Sequence, residues 1–153
     1  MNYWWVNQNK TWKQEIGDDY MWSPQLRADG KSLKAYDNMK AIKKGDIVFS
    51  YYKKEIQAIG IVIKEAYECS KPSEFGPSGD DWDTKGWKVD MHYKALSFPL
   101  SPLDIWEELQ LVLPEKHSPL NANGKGQQQY LFSISTEMAS LLYSKLVFYR
   151  ISI

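Results

Sequence analysis

The chain has 153 residues, enough for one domain to bury about two-thirds of its unfolded surface without covalent staples. Nineteen basic and nineteen acidic side chains cancel, which argues against a partner held by bulk electrostatics and leaves a local patch as the route to any phosphate. Cys69 is the only cysteine, so an intramolecular disulfide and a cysteine-built zinc site are excluded.

The opening "MNYWWVNQNKTWK" has neither the basic region nor the apolar run of a signal peptide, and the apolar runs elsewhere are too short to span a bilayer. These features predict a soluble, cytoplasmic protein with no membrane partner. "YWWVNQ" reads as the first strand, aromatic and β-branched before it turns polar. "TWKQEI" carries Thr11 as a candidate cap with Glu15 behind it, a one-turn helix with Trp12 and Ile16 on one face. "YMWSP" then places Trp22 before Ser-Pro and a polar, Gly-containing stretch, which predicts a loop. "SLKAYDNMKAI" has helical spacing and stops at "KKGD".

"DIVFSYY" and "IQAIGIVIKEAY" are the clearest strands, joined into a hairpin by "KKE". "CSKPSEFGPSGDDWDTKG" predicts a long loop, "WKVDMHYKAL" a further strand, and "SPLDIWEEL" a helix capped by Ser101 and begun by Pro102. After the amide-rich loop "PLNANGKGQQQ" come a last strand, "YLFSIS", and an amphipathic helix, "STEMASLLYSKL". The terminus "KLVFYRISI" is read as a final strand or the start of a linker. No repeat and no regular βαβ rhythm is present. The pattern predicts one α+β domain over residues 1–153, a curved mixed β-sheet or small β-barrel flanked by short helices.

Catalytic chemistry is not visible in the pattern. His92 and His117 stand in no arrangement that resembles a zinc site or a triad, and "GKGQ" lacks phosphate-loop spacing. Acidic residues in "GDDWD" read as solvated, with no metal and no cofactor expected. The aromatic content is the anomaly: seven Trp, ten Tyr and five Phe. Most belong in a core. At least one of Trp4 and Trp5 is expected there, and Trp12, Trp87 and Trp106 read as packing residues. Residues 1–64 hold eleven Lys or Arg against seven Asp or Glu, which makes Lys10, Lys40, Lys43, Lys53 and Lys54 the candidate contacts to a phosphate backbone.

Taken together, "NYWWVNQN", "YMWSP", "YDNMKAIKKGDIVFSYY" and "AIGIVIKEAY" resemble the EVE domain, of the PUA-like superfamily and related to YTH domains. The resemblance covers most of the chain and lies in the order and spacing of the pieces. In YTH domains a tryptophan at the place of Trp22 forms one wall of an aromatic cage around a methylated base, and a segment at the place of Asn7, Gln8 and Asn9 meets the base edge. A flipped base offers two π faces and a polar edge, so flat aromatics and amides suit it. Candidate base-binding residues are therefore Trp22, Tyr36, Tyr51, Ser23, Asn7, Gln8 and Asn9, with Trp82 as the second wall. The resemblance implies a non-catalytic reader of modified DNA by base flipping, first of 5-methylcytosine or 5-hydroxymethylcytosine. It also implies a restriction system in which a nuclease or translocase module is fused or separate. Methylated adenine, modified RNA, and a small-molecule-binding domain or enzyme are the alternatives.

Overall fold

In a computed structural model the described residues are 1–8, 11–25, 34–73, 85–127 and 129–151. Six strands form one mixed sheet: β1 (Tyr3–Asn7), β2 (Tyr20–Pro24), β3 (Ile47–Tyr52), β4 (Glu55–Ser70), β5 (Lys85–Leu100) and β6 (Leu131–Ile134). Their order across the sheet is β2-β5-β4-β3-β1-β6. β1 runs parallel to β3, and the other pairs are antiparallel. Four helices are α1 (Trp12–Gly17), α2 (Lys34–Ala41), α3 (Trp106–Leu109) and α4 (Thr136–Ile151).

β4 and β5 have 16 residues each and would be roughly 50 Å long if straight. They are not straight, because the ladder shifts register at Ile56/Ala58, Val62/Lys64 and Lys64/Tyr67, and each such irregularity bends and twists a strand. The sheet curls into a half-barrel with short helices, a PUA-like α+β fold. The long loop expected from Cys69 begins only after Ser70, since β4 reaches that far and pairs Cys69 with Gly86.

Both faces of the central strands are buried, and alternation assigns them. Trp5, Phe49 and Phe132 stand in register on one face and pack with Met138, Leu142 and Leu146 of α4. Trp4, Val6 and Val48 fill the other with Met21, Met39, Ile42, Val89 and Met91, under α2. Both tryptophans of β1 are thus core residues. Trp4 also donates its indole N–H to Asp46 Oδ2 at 3.0 Å, while Asp46 accepts from the backbone N–H of Asn2 and Lys43. This is the role of the Lys-Gly-Asp turn: its buried carboxylate fixes the start of β1 against β3.

The structure corrects several expectations. "YMWSP" is strand β2, not a loop, with all five residues buried. Pro24 fits because it ends an edge strand, where its missing N–H is tolerated. Ser101 makes no side-chain cap, and Pro102–Ile105 is a 3₁₀ turn leading into α3. The hairpin turn is Lys53–Lys54 alone, with Glu55 already opposite Tyr52 in β4. The segment after Leu146 is neither strand nor linker up to Ile151, since no Gly or Pro breaks the helix there. Among the described residues no helix is long and apolar enough to cross a membrane.

Candidate nucleic-acid interface

The last residues of β1 lead into a buried polar nest. Gln8 is 1% exposed; its Nε2 donates to the Tyr93 hydroxyl at 3.1 Å and its Oε1 accepts from Ser50 Oγ at 2.6 Å. Tyr93 reaches this point by lying across Gly60, where a β-carbon would come within 2.7 Å of its ring. Glu15, fully buried on α1, accepts from Thr11 Oγ1 at 2.7 Å, from the backbone N–H of Trp22 at 2.9 Å and from the hydroxyl of Tyr130. Thr11 therefore binds the Glu15 carboxylate and makes no cap bond. Glu15 and Tyr130 also bridge β2 to the entry of β6, the two outer strands of the curled sheet, where no backbone ladder joins them.

Burial raises the Glu15 carboxyl from its usual 4.5 to about 7, against the hydrogen bonds that favour the anion. Burial also raises Tyr93 and Tyr130 well above the ordinary phenol range, and the charge on Glu15 adds to both effects. Among the described residues, the groups that favour its anion are the hydrogen-bond donors Tyr130, Thr11, Trp22 and Gln8.

Asn7 is tied down as firmly. Its Oδ1 accepts from the Trp5 indole at 2.8 Å, and its Nδ2 donates to the carbonyls of Gln127 and Gln129 at 2.8 and 3.1 Å. The amide thus ties Gln127 and Gln129 to the end of β1, with both its oxygen and its nitrogen engaged inside the protein. The carbonyls it holds border an open groove of about 750 Å³ that also takes in Glu115, His117 and Phe132. His92 is exposed on β5.

Of the expected aromatic walls, Trp22 and Tyr51 are described, and these two are not brought together. Trp22 is 1% exposed. It packs with Tyr20 and Cys69, donates its indole N–H to the Cys69 carbonyl at 2.9 Å, and lies on Gly86 so closely that a β-carbon there would meet its ring at 2.3 Å. The tryptophan that looked bare in the sequence is covered because the partner strand offers a glycine to its ring. Tyr51 is buried on the α4 side, its ring 5.1 Å from that of Trp5, and burial raises its phenol. Trp22 and Tyr51 thus occupy different clusters and do not face each other across one cage. Tyr36 stands half-buried on α2, and Ser23, fully buried, donates to the Pro24 carbonyl. Asn9, Lys10 and Trp82 lie outside the described residues.

The basic residues also divide. Lys40 lies near the end of α2 with its ammonium 5.5 Å from the Trp87 ring, and Lys43 lies in the turn before β3, 3.8 Å from Glu65. Lys53 and Lys54 follow the far end of β3, a strand about 17 Å long when extended. Beside them Trp12 stacks on Tyr52, ring centroids 4.9 Å apart and planes within 5°. Sequence reasoning missed this stack and the nest. The Thr11–Glu15 spacing was visible, but not that two tyrosines from β5 and the entry to β6 would meet it.

The curled six-stranded sheet is similar in fold to several solved structures. The DUF55 domain of human thymocyte nuclear protein 1 is similar to this chain with a TM-score of 0.64 and 18% identity, covering 94% of this chain and 98% of that one. Human THYN1 in complex with 5-methylcytosine-containing DNA is similar at 0.60 and 15%, over 95% and 98%. The Pho92 YTH domain in complex with m6A is similar at 0.62 with 5% identity, over 95% and 85%. Neither a protein-family model nor a curated protein matches the sequence.

Proposed function

We propose that the protein is a non-catalytic reader of a modified nucleobase, with 5-methylcytosine or 5-hydroxymethylcytosine in DNA as first choice, serving as the specificity module of a modification-dependent restriction system. The observation that carries this reading is the nest at the end of β1. Gln8, Ser50, Thr11, Glu15, Tyr93 and Tyr130 hold each other in one arrangement, which is the rigid support that a recognition site needs from the residues behind it. The supporting likeness is to folds that hold 5-methylcytosine DNA in one case and m6A in another.

In this reading Asn7 and Gln8 are positioning residues, and Asn9 meets the edge of the extruded base. Trp22 and Trp82 supply the stacking walls. The Trp22 face that takes the base is the one opposite Gly86, and base entry has to uncover it. Ser23 positions the strand beside it, while Tyr36 borders the entrance. Methylated adenine is the second reading, favoured by the likeness to the YTH domain.

Fluorescence anisotropy on matched duplexes with cytosine, 5-methylcytosine, 5-hydroxymethylcytosine, adenine and N6-methyladenine tests the proposal. The expected result is a preference of about tenfold or more for one modified base, since a buried methyl alone gives only about fourfold and the lower cost of extrusion adds to it. Equal affinity for all five rejects a DNA reader.

A further inference from the structure

Three groups at the tip of the β3–β4 hairpin are held at a cost that the folded chain does not recover. The turn has two residues, Lys53 and Lys54, and both adopt the left-handed conformation, with φ of 50° and 66°. A two-residue hairpin that needs positive φ at both places favours Asn-Gly, and a side chain as long as lysine brings only steric strain to such a backbone. The third group is the indole N–H of Trp12. It is buried with no hydrogen-bond partner among the described residues, while its ring lies flat on Tyr52, the residue that precedes the turn. The Lys53 ammonium is 5.5 Å from the same Tyr52 ring. The turn itself holds two lysines and no carboxylate, and Glu55 follows as the first residue of β4, so residues 53–55 are net positive.

Strained backbone and unsatisfied donors persist where an external partner uses them. Two adjacent lysines, one with its ammonium over the Tyr52 ring, and one N–H on the ring stacked against it match an oxyanion attached to something flat. We propose that this tip is a phosphate clamp for the nucleic acid backbone: Lys53 and Lys54 neutralise phosphates next to the bound base, and Trp12 Nε1, covered in the free protein, donates to a phosphate oxygen once binding displaces that cover. The clamp rests on the nucleic-acid reading and adds to it the residues that carry affinity and not base choice. Lys40, on α2, and Lys43, in the turn before β3, lie outside it.

Two variants test the clamp because each relieves a cost in the folded state while removing the proposed contact. Lys53→Asn with Lys54→Gly supplies the preferred turn. It is expected to raise Tm by roughly 2–8 °C. The same double variant should weaken binding to modified and unmodified duplex by the same factor, and reduce the slope of log affinity against log salt by about 1 to 2. Trp12→Phe keeps a ring on Tyr52 and loses the donor; Tm should hold or rise while affinity falls. Inorganic phosphate should compete with duplex for the parent more effectively than for the double variant. Discrimination among bases kept, with affinity and salt slope unchanged in both variants, overturns the clamp and upholds the reader. A reduced slope in a protein that never discriminated overturns the reader and upholds the clamp. A parent that binds no nucleic acid overturns both.

Discussion

The nest under β1 and the tip of the β3–β4 hairpin lie at the ends of neighbouring strands and manage polarity in opposite ways. In the nest, Gln8, Thr11, Glu15, Ser50, Tyr93 and Tyr130 are buried or half-buried and have partners inside the protein. At the tip, two lysines are strained and an indole N–H is unpaired. A buried network that is satisfied fixes one arrangement of the chain, whereas groups left unsatisfied gain from a ligand. Rigidity and binding are thus assigned to different residues. Perturbing the nest or the covered walls should affect folding first, and perturbing the tip should affect binding first.

The largest effect is expected at Trp22. Trp22→Ala removes a fully buried ring from Gly86 and leaves the Cys69 carbonyl without its donor, a loss of about 3–5 kcal/mol. Urea denaturation should show it as a lower midpoint. A variant as stable as the parent would mean that the ring is not held where it packs here, and would break the contrast between a covered wall and an open tip.

Glu15 gives the next effect, and its sign is set by burial. Because the folded-state value of about 7 lies above the usual 4.5, the unfolded chain releases a proton between those pH values that the folded chain keeps. Stability is fully present below about pH 4.5, falls as pH rises toward 7, and levels off above it. The contribution of this one group over that window is about 3 kcal/mol. Glu15→Gln cannot titrate and should flatten that part of the profile. Thermal melts of both proteins from pH 4.5 to 8 compare them directly, and parallel profiles would remove Glu15 as the source.

The smallest of the three is Asn7→Ala, which leaves the Trp5 indole and two carbonyls unpartnered and should cost about 2–3 kcal/mol. Its signature is local. Hydrogen exchange should quicken at Gly126 and Gln127 before it does in α4, and unchanged exchange there would show that other contacts hold the segment to β1.

Strands and helices were legible where one period dominated. β1, β3 and most of α2 follow from side-chain pattern, and the Lys-Gly-Asp turn from its glycine. β2 was not legible, because Ser and Pro in a five-residue edge strand carry turn chemistry, and the burial of Trp22 depends on a glycine 64 positions later in the chain. The grouped lysines of residues 40–54 looked like one patch because sequence proximity hides an intervening extended strand.

The sequence by itself determined the main strands of a curved α+β domain and the aromatics and amides they carry, since residue type and alternation act over a few neighbours. Only the tertiary structure decided which of them are spent on the protein itself. Asn7 and Trp22 found partners on Gln127, Gln129, Cys69 and Gly86, far away in sequence, and hydrogen bonds or packing closed over such distances follow from how the sheet curls and leave no local period to read.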